Sequence, residues 1–299
     1  MNSTPLVTII INCFNGEKYV RGTLDSIFAQ SYKNYELIFW DNCSTDNTPS
    51  IVESYNDERI QYYRADVKTT LGKARNLAME KAHGDYISFI DADDIWLPDF
   101  LTLCVEVFNM HSDASIAYTR FINFDGDNEW LSPGSDKNRK ISPKELISSY
   151  GIGMSGAMFN KRIKENYNIK IDERFSLIED YDFFIHLSAY GDVYYIAQPQ
   201  MRYRWNPNGL TQNSKWAEEN KMLYDKVKEE DILSLYANDI RKIYECVQTR
   251  DYLLSGEKSK ALCLICKSMW RNRSILRYIF PVVFGMELFH KLRMRVSKS

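Results

Sequence analysis

The sequence predicts an α/β protein with a mainly parallel central sheet, followed by a helical C-terminal extension. Three observations support that class. Through the first hundred residues, short apolar runs alternate with segments of helical periodicity, as in β–α–β units. Polar clusters stand directly after those apolar runs, where open α/β sheets bind ligands. Beyond about Trp216 the chain turns to Lys- and Glu-rich helical patterns without clear strands.

Leu6 to Ile11 reads as a buried strand. After Asn15-Gly16, Tyr19, Val20, Leu24, Ile27 and Phe28 recur at helical spacing, and Tyr35 to Trp40 forms a second strand ended by Asp41. Thr48-Pro49 supplies an N-cap and first helical position for a short helix to Tyr55, and Ile60 to Tyr63 is a third strand. Ala74, Leu77, Ala78 and Ala82 share a helix face, with Gly84 as its C′ residue, before a fourth strand from Tyr86 to Ile90 ended by Asp91. Asp125 to Lys140, with Gly126, Pro133 and Gly134, reads as a long mobile loop. The resulting division is 1–215 and 216–299.

The chain has 299 residues, 44% hydrophobic and 26% charged, with 13 Gly and 8 Pro, which is an ordinary globular composition rather than a disordered one. Its 38 Lys+Arg against 40 Asp+Glu leave a net charge of −2, so no global field favours nucleic acid, and none is expected as a partner. Six dispersed cysteines in so long a chain fit a reducing compartment. The N-terminus lacks a basic, long-apolar signal pattern, and the longest apolar stretch, Tyr278 to Met286, falls short of the ~20 residues a spanning helix needs. A cytoplasmic location is therefore expected.

Asp91-Ala92-Asp93-Asp94 places three carboxylates in four residues at a strand end. Their mutual repulsion is relieved by a hard divalent cation, Mn or Mg, whose remaining positions go to water and the phosphates of a nucleotide diphosphate. The alternative is a solvated loop with Asp94 as a helix N-cap.

The motifs Val7-Thr8-Ile9-Ile10-Ile11-Asn12-Cys13-Phe14-Asn15, Trp40 to Thr48, Gly72-Lys73-Ala74-Arg75-Asn76, Gly84 to Asp94 and Glu179-Asp180-Tyr181-Asp182, in that order, closely resemble the family 2 glycosyltransferases. The resemblance covers roughly residues 5 to 205. It implies a GT-A-like nucleotide-sugar-binding fold and inverting transfer of a sugar from a nucleotide-diphosphate donor, a UDP-sugar, to a hydroxyl of a glycan or lipid-linked glycan. It places Asn12, Phe14, Asp41 and Asn42 at the base and ribose, Arg75 at the donor wall, Asp91 near the ribose, Asp93 on the metal, and Asp180 as catalytic base. Asn42 stands where the family often has an acid, and His186 where relatives often carry Arg.

Other motifs are weaker. Gly151-Ile152-Gly153-Met154-Ser155-Gly156 spells a dinucleotide fingerprint but follows a helix rather than a strand, and reads as a flexible approach to the strand around Ala157 to Phe159. Gln200 to Trp205 resembles the Q-x-x-R-W of processive synthases with one residue too many, which favours single addition; Arg202 and Arg204 face a diphosphate or an anionic acceptor, or are strand-edge cations. Cys263-x-x-Cys266 lacks a second ligand pair and reads as buried helix cysteines. Arg271 to Ser299 carries seven basic residues against Glu287, bracketing apolar residues from Ile275 to Leu292, which suits a helix on an anionic membrane surface. Nucleotidyl transfer, and a nucleotide-sugar or glycan-binding module without catalysis, remain as rival readings.

Overall fold

The computed structural model describes residues 4–126, 128–206 and 215–279. The chain divides into two compact units, Met1–Gly209 and Leu210–Ser299. The first contains, in order, β1 (Val7–Cys13), α1 (Val20–Phe28), β2 (Tyr35–Asp41), α2 (Thr48–Glu53), β3 (Ile60–Arg64), α3 (Leu71–Met79), β4 (Tyr86–Phe89) and β5 (Ile95–Trp96). It continues with α4 (Phe100–Met110), β6 (Ala114–Phe124), β7 (Glu129–Leu131), β8 (Arg139–Ile141), α5 (Pro143–Ser148), β9 (Ala157–Asn160), α6 (Lys161–Asn166), α7 (Glu179–Ser188) and β10 (Asp192–Arg204). The second unit contains α8 (Trp216–Val227), α9 (Ala237–Leu254) and α10 (Lys258–Ser268).

One sheet runs β3-β2-β1-β4-β9-β6-β10-β5, with β7 on β6 and β8 on β10. From β3 to β4 every pairing is parallel. Beyond β4 the sheet is mixed: β9 is antiparallel to β4 and β6, β10 is parallel to β6, and β5 is antiparallel to β10. The parallel half shows the near-continuous burial expected of strands covered on both faces. All seven residues of β2 are buried, as are all of β1 except half-buried Asn12. Val7, Ile9, Ile11 and Cys13 share one core with Leu24 and Ile27 of α1 and with Phe100, Leu101 and Cys104 of α4. On the other face, Phe159 of β9 stacks with Phe89 of β4 at 6.2 Å and meets Phe183 of α7 edge-on at 5.1 Å. Each such side chain contributes about 1.5 to 3 kcal/mol by leaving water.

Three local expectations are corrected. Asn47 is the N-cap of α2 and Thr48 its first helical residue, so the Thr48 hydroxyl is free to accept the Gly16 N–H at 2.9 Å. α3 ends at Met79, and Gly84 caps nothing; a Cβ there would stand 2.6 Å from Thr8 N, so the missing side chain lets this segment lie directly on β1. Residues 125–140 are not one long loop but contain β7 and the first residues of β8.

In the second unit, Cys246, Leu253, Ala261, Ile265, Ile275 and Tyr278 form a small core against which Leu276 packs. Ile275 and Leu276 therefore face the protein rather than a membrane, and 280–299 lies outside the described residues. Cys263 and Cys266 are exposed, not buried, because Ala261, Ile265 and Ser268 occupy the inner face of α10. Among the described residues no helix is long and apolar enough to cross a membrane.

Candidate active site

The loops after β1 and β2 are laced together by short polar side chains. Asn15 Oδ1 accepts the Thr45 N–H at 2.8 Å, and Ser44 Oγ accepts the Asn15 N–H at 2.9 Å. Asp46 accepts the Glu17 N–H at 3.0 Å, and Glu17 accepts the Asn47 N–H at 2.9 Å. Asn15 (φ 55°) and Cys43 (φ 70°) are both left-handed, a conformation that Asn tolerates better than Cys. Strand ends held in uncommon backbone conformations by so many contacts are typical of ligand sites.

Asp41 and Asn42 sit behind this loop pair rather than on it. Asp41 is fully buried and accepts from Ser44 N at 2.7 Å, Tyr62 Oη at 2.6 Å and Arg64 Nη1 at 3.0 Å. Asn42 donates to Thr69 O at 2.9 Å and accepts from Thr69 N at 3.0 Å. Both side chains are satisfied within the protein and hold residues 41–46 and 64–70 in place. Asn12 behaves differently. Among the described residues its Nδ2 and Oδ1 are buried without hydrogen-bond partners, as is Nε1 of Trp40, its register partner on β2. Unpaired buried polar atoms cost about 1 to 3 kcal/mol each, which a bound polar ligand would recover. Phe14 is 41% exposed, with Lys68 Nζ 3.3 Å from its ring centroid.

Arg75 joins the two acid clusters. Buried on α3, its guanidinium donates to Asp91 Oδ1 at 3.0 Å and to Glu179 Oε1 at 2.9 Å. Burial disfavours its charge, yet Asp91, Glu179 and Asp180 outweigh that and raise its pKa. The Asp91 N–H donates to Ser155 Oγ at 3.0 Å, while Trp96 Nε1 donates to Ser155 O at 2.6 Å. The expected flexible glycine segment is therefore, over Met154–Gly156, a buried 3-10 turn that supports the acid turn. β10 closes the other side: Arg204 N donates to Asp94 Oδ1 at 2.9 Å, and Arg204 Nε donates to Asp93 O at 3.0 Å. The Arg204 guanidinium lies 4.0 Å from the Tyr19 ring and 4.4 Å from that of Phe124, whereas Arg202 pairs with Glu129.

Burial, then Asp91, raises the pKa of Asp93, and the same two causes push Asp94 well above the usual carboxylate range. Asp180, half-buried on the first turn of α7, is raised to about 7 by burial and then by Glu179, against the lowering influence of Arg75, the Tyr181 N–H and Tyr150. Tyr203 lies beside the same acids: burial, then Asp94, Asp91, Asp93 and Asp180, raise its hydroxyl to about 12. Glu179, Tyr150, Tyr203 and Ser155 are thus site residues that sequence reasoning missed; only Glu179, next to Asp180, carried a local signal. His186 bonds its own helix through Nδ1 to Asp182 O at 2.6 Å.

Among the described residues no group of three or more His, Cys, Asp or Glu side chains forms a metal cluster. Asp91 and Asp93 nonetheless fit Mg or Mn, which bind one or two carboxylates and take their other oxygens from water and phosphate. Asp91 keeps one oxygen outside its contact with Arg75, and Asp93 forms no ion pair among the described residues.

The sequence pattern of Glycosyl transferase family 2 matches residues 8–167, more than half of the chain. TuaG of Bacillus subtilis, named for teichuronic acid biosynthesis, is 36% identical over 122 residues, 40% of this chain and 48% of that protein. The chain thus spans about half the length of TuaG. The Escherichia coli UDP-Glc:α-D-GlcNAc-diphosphoundecaprenol β-1,3-glucosyltransferase WfgD is 26% identical over 190 residues, covering 62% of this chain and 70% of WfgD. In fold, the chain is similar to S. aureus TarS in complex with UDP-GlcNAc, with a TM-score of 0.70 and 17% identity over 83% of this chain and 75% of that one.

Proposed function

The chain belongs to glycosyl transferase family 2 and has the GT-A-like fold, and on that premise we propose that it transfers a hexosyl group, with inversion and one residue at a time, from a nucleotide-diphosphate sugar to an acceptor hydroxyl. The observation that carries this reading is the Arg75 bridge, which ties the donor-side acid Asp91 to the helix turn that begins Glu179-Asp180. Asp93 would hold Mn or Mg, with Asp91 beside it toward the ribose, and the metal when bound neutralises charge building on the leaving diphosphate. Asn12 and Phe14 offer an amide and a ring face to the nucleotide. The acceptor oxygen bonds to the anomeric carbon as the C–O bond to the diphosphate breaks. The electron pair leaves with the diphosphate, and the hydroxyl proton passes to the Asp180 carboxylate.

The names of WfgD and TarS's ligand support a UDP-sugar donor, and those of TuaG and WfgD support glycan assembly on a glycan or lipid-linked acceptor; in this reading transfer takes place at the cytoplasmic face. Asp93→Ala should lower metal-dependent UDP affinity by about 10- to 100-fold with a thermal midpoint no lower than that of the wild type. Titration calorimetry with Mn²⁺ and with chelator checks this; equal affinity in all cases would remove the metal role.

Residues 1–215 form the transferase domain in this reading, and 216–299 the membrane-facing extension. From Lys258 to Ile279 the chain holds six basic residues and no acid, with Trp270 88% exposed. Basic groups near an anionic surface contribute about 1 kcal/mol each. A chain ending at Ile279, which keeps Ile275 and Tyr278 in their core, should co-sediment less with anionic vesicles than the full chain, and both should release with salt. Identical binding by the two would exclude a role for 280–299.

A further inference from the structure

A cavity of about 460 Å³ lies between the β7–β8 turn, α5 and β10. Its walls are aromatic: the Tyr118 and Tyr195 rings stand 5.3 Å apart, and Phe121 and Tyr150 complete the lining. At its rim Arg139 and Glu145 pair at 2.6 Å and neutralise each other. The cavity thus offers ring faces and hydrogen-bonding groups without net charge. Its shape is held rather than incidental. Arg120 Nε donates to Ser132 O at 2.8 Å, Tyr195 Oη donates to Ser135 O at 3.0 Å, and a Cβ at Gly134 would fall 2.3 Å from that same hydroxyl.

Two walls continue into the carboxylate cluster. The Tyr150 ring meets the ring of Tyr181, the residue after Asp180, at 4.8 Å and 68°. The Phe121 ring meets Tyr203 edge-on at 6.0 Å, and the charges of Asp94, Asp91, Asp93 and Asp180 act on the Tyr203 hydroxyl. A ligand in the cavity is therefore flanked on two sides by residues that touch the site.

We infer that this cavity is the acceptor subsite, taking a neutral hexopyranose ring and turning one of its hydroxyls toward Asp180. The inference rests on the reading of Asp180 as base. Aromatic faces suit the C–H face of a sugar, and neutral polar groups suit its hydroxyls. The rim lacks the unpaired cations that a diphosphate requires. The volume lies within the roughly 300 to 1,000 Å³ of ordinary small-molecule sites. Any diphosphate–lipid portion of the acceptor then stays outside the cavity.

Gly151 provides the test. It lines the cavity, and a Cβ added there meets nothing nearer than Ser149 O at 3.9 Å, so a larger side chain fits the backbone and intrudes on the rim. The probes are methyl glucopyranoside and methyl N-acetylglucosaminide, added without donor to the full chain. Saturation-transfer NMR should show contact through the ring C–H protons in the wild type and its loss in Gly151→Leu. In transfer assays the same substitution should raise acceptor KM at least about tenfold, with donor hydrolysis in the absence of acceptor and the thermal midpoint unchanged. Equal saturation in wild type and Gly151→Leu, or none in the wild type, would overturn the assignment. Absence of donor binding by the wild type would refute the transferase reading instead, and the sugar measurement, which needs no donor, would still decide the cavity.

Discussion

Asp180→Asn should cut sugar transfer by about 10² to 10⁴, the range of general base catalysis, while leaving donor affinity near that of the wild type. The amide is nearly isosteric, so the loss reports proton transfer rather than shape. Burial and Glu179 hold the Asp180 carboxyl at about 7. Below that pH the carboxylate fraction falls about tenfold per unit, so wild-type kcat/KM should show an acidic limb near 7 that the Asn variant lacks. Stability should move in the opposite sense. A folded-state pKa raised above the unfolded value favours the folded chain most below the unfolded pKa, and this contribution is lost as pH rises through about 7. Asp180→Asn should therefore gain stability relative to wild type at pH 8 but not at pH 4. Near-normal transfer by the Asn variant would move the base elsewhere.

Arg75→Met should destabilise the protein by about 3 to 5 kcal/mol, the usual cost of removing one partner from a buried charge cluster. Asp91 and Glu179 each lose a charge-assisted hydrogen bond, and Glu179 is left buried beside Asp180. Arg75 also lowers the pKa of Asp180, so any residual activity should show its acidic limb at higher pH. Urea unfolding and a pH–rate profile read the two effects separately. A variant as stable as wild type with an unmoved limb would show that the bridge has neither role.

The parallel half of the sheet was legible because strands buried on both faces must be apolar along their length, as from Leu6 to Ile11 and from Tyr35 to Trp40. Acids at their ends marked the site for the same reason: a charged residue ending such a run needs a function or a partner. Which of the two applied was not legible. Asp41 and Asp91 look alike in sequence, yet Asp41 is closed in by Tyr62, Arg64 and Ser44, whose approach depends on β3 pairing with β2. In the mixed half β9 was read around Ala157 to Phe159, but β5, β7 and β8 escaped because they have only two or three residues each, and β5 and β8 are strands only through the distant β10. Gly84 has the composition of a helix stop but answers to the backbone of β1, which no local pattern encodes. Cys263 and Cys266 were misread because helical spacing alone does not say which face meets Ile275.

The closure of the acid turn by β10 bears on the order in which the protein matures during synthesis. Asp94 Oδ1 and Asp93 O take their bonds from Arg204, 110 and 111 residues further along the chain. A ribosome adding about 5 to 20 residues per second has therefore completed the parallel half several seconds before these bonds can form. Over that interval the nascent chain carries three clustered carboxylates without the strand that orders them. Such long-range contacts are the slow ones, since chain entropy must be lost before they are gained. A nascent chain with a formed parallel half thus lacks the bonds that order this acid turn until β10 is laid.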